Sequence, residues 1–235
     1  PLPHLGWGIR TLGRLPLRGV DRVLDAGCGT GRDTEGLLNR LPYGRVVAVD
    51  GSVRMLDQLR ERLAGRLDRV EVVTADLTQP LPFDGEVDAV FSVAAFHWIE
   101  DHAALFASLA SRMRSGARLV AECGGEGNIT SVNAAVAEVL GGERDSHDWQ
   151  FAAVEDTRAR LAAAGYTDVD VRLRPEPARF ERGEQLESFL ATVILGAQQD
   201  GMANDEREPF VKAVAARLAE PVVDYVRLEI SATRV

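Results

Sequence analysis

The sequence predicts an α/β fold: a seven-stranded, mostly parallel doubly wound sheet whose last strand is antiparallel, with helical cap insertions in the C-terminal half. Two observations carry this. Short β-branched runs alternate with leucine- and alanine-rich amphipathic stretches, the rhythm of βαβ units around a parallel sheet. One such run, Val23-Leu24-Asp25-Ala26, empties into a glycine loop, Gly27-Cys28-Gly29-Thr30-Gly31, which is followed by Leu37, Leu38 and Leu41 at helical spacing. The 235 residues suffice for one large domain with a two-sided core.

Taken in order, strands are expected at Arg22–Ala26, Val46–Asp50, Val70–Thr74, Val87–Val93 and Arg118–Cys123. Helices fall between them at about Arg32–Leu41, Ser52–Gly65 and Ala103–Met113, closed by the turn signals Pro42-Tyr43-Gly44, Gly65 and Ser115-Gly116. The link from Asp76 to Glu86 holds Pro80, Pro82 and Gly85 and reads mostly as loop. After Cys123 the rhythm breaks. A helix at about Ile129–Leu140 and a polar loop to Asp148 form a first excursion. A helix at Val154–Ala164, capped by Gly165, then leads into a sixth strand at Thr167–Leu173. A second excursion carries helices at about Gly183–Gln199 and Asp205–Leu218, and Tyr225–Ala232 alternates as a final strand. Both excursions follow strands, at the sheet edge where α/β ligands bind, and are expected to cover a substrate.

Composition narrows the function. A net charge of -9 argues against a nucleic-acid or anionic-membrane partner, and of 27 basic residues only Lys212 is a lysine. No apolar run approaches the roughly 20 residues of a membrane span, and the N-terminus lacks the regions of a signal peptide, so the expectation is a soluble cytoplasmic protein, monomeric or homodimeric. Cys28 and Cys123 form no CxxC and have no histidine at ligand spacing. They read as small buried residues, and neither a metal nor a disulfide is expected.

Glycine reaches positive φ without steric cost and leaves no Cβ between main chain and ligand, so the loop is built to let a ligand touch backbone at a helix N-terminus. A dinucleotide is the first rival. Its fingerprint puts a third glycine or alanine three positions after the second, where this chain has Arg32. Asp25 at the loop's mouth would repel a pyrophosphate and welcome a cationic amine. Asp50, at the end of the second strand and followed by Gly51, can accept both hydroxyls of an adenosine ribose. It also reads as an Asp-Gly turn with Ser52 capping the next helix, and both can hold together. Asp76 can accept the exocyclic amine of adenine while the main-chain N–H of Leu77 donates to a ring nitrogen. Met55, one turn after Ser52, is placed to pack on an adenine face or to fill the core. Together these positions suit S-adenosylmethionine or its product S-adenosylhomocysteine.

On those residues the chain resembles the class I S-adenosylmethionine-dependent methyltransferases. Their glycine motif matches 25–31, their ribose acid Asp50, their adenine-contacting acid Asp76, and their fourth-strand segment Asp88-Ala89-Val90-Phe91-Ser92-Val93, which brings Ser92 into the expected cofactor set. The likeness covers about Val20 to Cys123. Phe96-His97-Trp98-Ile99-Glu100-Asp101-His102 and the layout of the C-terminal third are similar to the trans-aconitate methyltransferase group, which esterifies carboxylates of small acids or acyl chains. Such relatives begin with a Trp- and Tyr-containing segment over the cofactor, which is not found before Pro3-His4-Leu5. The resemblance implies a single domain over 1–235, with a cofactor-binding core at about 20–123 and caps at about 124–150 and 175–220.

It implies methyl transfer to a small-molecule acceptor, with a carboxyl oxygen favoured. The alternatives are O-, N- or C-methylation of a natural-product intermediate, or a binding protein without catalysis. A carboxylate is ionised at neutral pH and needs no base; a phenol, amine or carbon acid would use one. His97 is the expected base or positioning residue, and Trp98 a pocket wall or a core residue. His102 reads as part of a helix N-cap. His147 and Trp149 line the pocket or lie at the surface. Arg32, Arg179 and Arg182 are the guanidinium partners expected for a carboxylate substrate.

Overall fold

The computed structural model describes residues 3–142 and 149–235, and divides into two compact units. The first comprises Pro1–Glu126, Gln150–Arg174 and Arg227–Val235; the second comprises Gly127–Trp149 and Pro175–Val226.

The first unit opens with a helix that the sequence reading did not contain, α1 (Pro3–Arg14). Gly6, Gly8 and Gly13 give it poor intrinsic propensity. Tertiary packing stabilises it instead: Trp7, Thr11 and Leu15 are fully buried. A Cβ on Gly8 would clash with Asp33 Oδ1, so a larger residue there would have to displace the Asp33 carboxylate. The strands β1 (Arg22–Ala26), β2 (Arg45–Asp50), β3 (Val70–Thr74) and β4 (Val87–Val93) follow, with α2 (Arg32–Arg40) and α3 (Val53–Arg62) between the first three. After β4 come a 3-10 turn at Phe96–Trp98, α4 (His102–Ala110) and β5 (Met113–Gly124). β5 begins earlier than expected, with a pairing irregularity opposite Val87 to Ala89.

The sheet order is β3-β2-β1-β4-β5-β9-β6, where β6 is Tyr166–Pro175 and β9 is Val226–Arg234. β1 pairs in parallel with β2 and β4, β2 with β3, and β4 with β5, while β9 lies antiparallel to β5. The reversal of order at β1 and β4 makes a crevice at the carboxyl ends of these strands, where open α/β sheets bind ligands. One face of the sheet packs Leu24, Val47, Val90 and Leu119 against Phe106 and Leu109 of α4 and Leu161 of α6 (Val154–Ala163). On the other face lie α1, α2 and α3. Both faces are therefore covered, which is why the inner strands read as continuous apolar runs rather than alternating ones.

The second unit holds α5 (Thr130–Leu140), a two-stranded ribbon of β7 (Ala178–Arg179) and β8 (Val222–Val223), and the helices α7 (Glu184–Phe189), α8 (Gly196–Asp200) and α9 (Asn204–Arg217). The single helix expected at 183–199 is interrupted by a π-helical turn at Leu190–Ile194. The β-branched run Thr192-Val193-Ile194 weakens the α-helix there, and the Thr192 hydroxyl donates back to the Ser188 carbonyl at 2.7 Å. Phe189, Leu190, Phe210, Val211 and Val214 supply this unit's buried side chains. Among the described residues no helix is long and apolar enough to cross a membrane.

Candidate functional site

The loop after β1 is held by the neighbouring strand. The amides of Gly27 and Cys28 both donate to the Val49 carbonyl, at 2.8 and 3.0 Å, so the chain turns sharply at the end of β1 and enters α2 through Gly31. Gly27, at φ 78°, faces the Ala95 methyl, which a Cβ at this position would strike. Gly29, at φ 52°, has no atom within 4 Å of where a Cβ would stand and faces open space. The two glycines thus serve different ends: one permits the loop to close on β4, the other leaves backbone bare.

That bare backbone borders a cleft of about 750 Å³ lined by the ends of β1 to β4. Of the sequence-predicted residues, Asp25, Gly27, Cys28, Gly29, Asp50, Gly51, Met55, Asp76, Leu77 and Trp98 all border it, and so does Arg32. Asp50 ties two walls together. Its Oδ2 accepts the Gly29 N–H and its Oδ1 the Ser52 N–H, each at 2.8 Å. The Ser52 hydroxyl in turn accepts the Met55 N–H at 3.3 Å, so Asp50 and Ser52 form the turn and helix cap that the sequence suggested. Asp76 accepts the Thr78 amide and hydroxyl on Oδ1, at 2.9 and 2.8 Å, and its Oδ2 makes no hydrogen bond among the described residues. Met55 is 37% exposed and Trp98 55% exposed, so both are walls of the cleft rather than core.

Asp25 sits on the cleft floor and is almost wholly buried. Burial pushes its carboxyl up to about 7 even though the Thr34 hydroxyl donates to it at 2.6 Å; Asp33 and Asp50 push the same way as burial. Cys28 and Cys123 are free thiols pushed up by burial, Cys123 to about 12, and are unreactive at neutral pH. No group of three or more His, Cys, Asp or Glu among the described residues could hold a metal ion.

Other expected residues fall elsewhere. Ser92 does not border the cleft: its hydroxyl is buried and donates to the Ala26 carbonyl at 2.7 Å, stitching β4 to β1. Ser92 lies one residue out of phase with the strand positions that reach the crevice. His97 lies in the 3-10 turn between Ala95 and Trp98, both of which border the cleft, but does not border it itself. Its Nδ1 accepts the Gly124 N–H at 3.2 Å, its carbonyl accepts the Gln150 N–H at 2.7 Å, and its ring lies 5.4 Å from that of Trp98 and 6.1 Å from that of Phe151. His102 is buried with Nε2 on the Phe96 carbonyl at 2.9 Å, and burial lowers its pKa; the cap of α4 is Asp101. Arg32 pairs with Asp33 at 3.1 Å. In the second unit, Arg179 pairs with Glu220 and Arg182 donates to the carbonyls of Leu218 and Ala219. Trp149 is buried, and His147 lies outside the described residues.

Thr30 of the glycine loop also borders the cleft, and the sequence reading missed Asp33, Thr74, Ala94, Ala95 and Ile99, which border it too. Among these, Ala94 has the most unusual backbone. It is non-glycine with φ 57°, and its N–H donates to the Glu122 carbonyl at 2.7 Å, so the chain leaves β4 through a left-handed residue pinned to β5.

Residues 23–116 match the family model described as a methyltransferase domain. The chain is 40% identical over 105 residues to the trans-aconitate 2-methyltransferase of Azoarcus sp. (strain BH72), a stretch covering 45% of this chain and 40% of that protein. The match thus spans about 40% of the length of that relative. Among solved structures, the Bacillus subtilis YcgJ protein is similar at TM-score 0.71 and 16% identity, covering 98% of this chain and 99% of that one. A Haemonchus contortus phosphoethanolamine N-methyltransferase 2, in complex with phosphomonomethylethanolamine and S-adenosylhomocysteine, is similar at TM-score 0.68 and 18% identity, over 97% of this chain and 52% of that one. At these identities the structures speak to the fold alone.

Proposed function

We propose that this chain, whose residues 23–116 match a methyltransferase domain, is an S-adenosylmethionine-dependent methyltransferase that moves the cofactor's methyl group to a carboxyl oxygen of a small acid. The observation that carries the cofactor assignment is the convergence of Asp25, Gly29, Asp50 and Asp76 on one cleft. Gly29 has room for a ligand where a side chain would stand. Asp50 keeps lone pairs for ribose hydroxyls after accepting two amides, and Asp76 keeps Oδ2 for the adenine amine. Met55 and Leu77 offer apolar surface to the adenine faces, and Asp25 offers negative charge to the amino-acid end.

When bound, the cofactor supplies an electrophilic methyl group on a sulfonium, a leaving group that needs no protonation. The protein's task is to align the acceptor with that methyl group and to exclude water, an effect worth on the order of 7–11 kcal/mol in well-oriented encounters. A carboxylate, with a pKa of about 4, arrives already ionised. Relatives named trans-aconitate 2-methyltransferase, 36–40% identical over the matched stretch, support the carboxyl choice.

The test is incubation of the purified protein with methyl-labelled S-adenosylmethionine and a panel of small polycarboxylic acids including trans-aconitate, with phenols and amines alongside. Label is expected in base-labile methyl esters. Label in a phenol ether or a methylamine would overturn the carboxyl reading. Binding of S-adenosylhomocysteine with no labelled product from any acceptor would favour a non-catalytic binding protein.

A further inference from the structure

The first half of the glycine loop is held from β2: the Gly27 and Cys28 amides donate to the Val49 carbonyl and the Gly29 amide to Asp50 Oδ2. The second half is held from α3. Arg62, the last residue of that helix, donates from Nε to the Thr30 carbonyl at 3.0 Å, and its Nη1 stands 3.9 Å from Oε2 of Glu35 in the first turn of α2. Leu59, three residues earlier on α3 and fully buried, lies so close to the loop that a Cβ on Gly31 would stand 2.7 Å from its Cγ. The loop is therefore tied to both ends of α3. At the start of the helix Asp50 accepts the Gly29 and Ser52 amides; at its end Arg62 closes on Thr30.

The second tie acts on Thr30. Its carbonyl is held by Arg62 and the next amide, that of Gly31, by the Cys28 carbonyl at 3.0 Å, so the Thr30–Gly31 peptide plane is fixed at both of its polar atoms. Thr30 borders the cleft, and its N–H and hydroxyl make no hydrogen bond among the described residues, which leaves both to a ligand. The residues on either side of it, Gly29 and Gly31, are free to turn about their own bonds, so a clamp from outside is what keeps this part of the loop in one conformation. Arg62 itself does not border the cleft and reaches the ligand only through Thr30. From this geometry we infer that Arg62 is a positioning residue for the cofactor: it fixes the Thr30–Gly31 peptide so that the Thr30 N–H and hydroxyl and the Gly29 backbone meet S-adenosylmethionine in one arrangement. A guanidinium suits the task, because its hydrogen bond to the carbonyl is charge-assisted and a cation is favoured at a helix C-terminus. This inference rests on the cofactor assignment above and adds to it a residue outside the cleft.

The experiment compares the full chain with three variants by titration calorimetry of S-adenosylhomocysteine and by thermal unfolding without ligand. Arg62→Ala is expected to weaken binding about three- to tenfold, the worth of one hydrogen bond at a partly exposed site. Its thermal midpoint is expected within about 2 °C of the wild type, as for other surface substitutions. Arg62→Lys, whose Nζ can reach the Thr30 carbonyl with the charge kept, is expected to recover most of the affinity. Arg60→Ala removes the same charge from the same turn of α3, where Arg60 pairs with Asp57 at 2.9 Å and not with the loop, and is expected to bind as the wild type does. If the wild type binds S-adenosylhomocysteine and Arg62→Ala binds it equally well, the positioning role falls while the cofactor assignment stands. The role falls in the same way if Arg60→Ala is as impaired as Arg62→Ala, since the effect then belongs to the charge of the helix end. It falls as well if Arg62→Lys is no better than Arg62→Ala, or if Arg62→Ala lowers the thermal midpoint by more than about 5 °C, which marks a structural contact. If the wild type itself does not bind S-adenosylhomocysteine, the cofactor assignment falls and the role of Arg62 with it.

Discussion

Thr34 donates its hydroxyl to Asp25 at 2.6 Å across the start of α2, and this is the hydrogen bond to the carboxylate's side chain on the floor of the cleft. Burial, the largest influence, raises the Asp25 carboxyl to about 7, and Thr34 opposes it. A carboxyl whose folded value is raised destabilises the fold progressively as pH rises from its ordinary value near 4 to about 7, because ionisation is easier in the unfolded chain. A cationic ligand reverses the preference locally, since it favours the ionised form. Affinity for S-adenosylmethionine is therefore expected to rise with pH between about 5.5 and 7.5, by up to roughly tenfold per unit below the pKa, and to level off above it. Titration calorimetry in buffers of different ionisation enthalpy should show proton release at pH 6. Asp25→Asn should abolish the slope, and Thr34→Val should move it to higher pH. A flat profile in the wild type would remove Asp25 from the cofactor site.

Asp50 holds the two backbone amides that set the spacing between the glycine loop and the start of α3. Asp50→Ala removes a charged acceptor from the ligand and from both amides, each such hydrogen bond being worth about 1.5–3 kcal/mol. Binding of S-adenosylhomocysteine should weaken at least tenfold by calorimetry. Asp50→Asn can keep one amide contact through its carbonyl oxygen and should lie between the two. Unchanged affinity in Asp50→Ala would remove the ribose assignment.

What was legible in the sequence was the part whose partners lie within one βαβ unit or repeat its pattern. The β1 loop, Asp50 and Asp76 each stand at the end of a strand, and strand ends follow from apolar runs meeting glycine or aspartate. Residues whose role is fixed by distant chain were not legible. Trp7 is buried in a helix that its own glycines disfavour, and Arg227, 220 positions later, lies 3.7 Å above its ring. Ser92 shares a strand with cleft residues, yet the two-residue alternation of side chains turns its hydroxyl to Ala26. Nothing in the run Val93-Ala94-Ala95 foretells the positive φ of Ala94, which comes from the Glu122 carbonyl.

Glu122 and Arg227 form the centre of a buried ion network, 3.4 Å apart and both almost fully inaccessible. Arg10 and Arg174 reach the same carboxylate at 3.0 and 3.3 Å, and the Thr11 hydroxyl at 2.9 Å. Removing one member of a buried charged pair leaves the others without compensation and costs about 3–5 kcal/mol. Glu122→Ala should lower the urea midpoint accordingly, and Glu122→Gln by less because Thr11 keeps an acceptor. Burial alone would raise neighbouring Glu229, but its hydrogen bonds from Arg174 and Arg172 together hold it below the usual carboxylate range. Its share of stability is therefore present above its unfolded value and lost as pH falls through the folded one. The wild type is expected to be less stable at pH 3 than at pH 6 by urea midpoint, with the difference reduced in Glu229→Gln; an equal difference in both proteins would show that this share is negligible.

Gly27 and Gly29 stand two residues apart in the same loop with positive φ, yet their alanine variants should fail in different ways. In Gly27→Ala the new methyl meets the Ala95 methyl, and the loop can no longer close on the end of β4. Left-handed backbone costs a non-glycine residue about 1–2 kcal/mol, and the clash adds to it, so the thermal midpoint should fall by several degrees with binding lost as a consequence. In Gly29→Ala the same left-handed cost applies, but the methyl enters open space. The thermal midpoint should fall less than in Gly27→Ala, while affinity for S-adenosylhomocysteine drops by at least tenfold, because the methyl stands where ligand meets backbone. Thermal unfolding and calorimetry on the two variants separate these outcomes. If Gly29→Ala binds S-adenosylhomocysteine as the wild type does, the open space beside Gly29 is not where the cofactor lies.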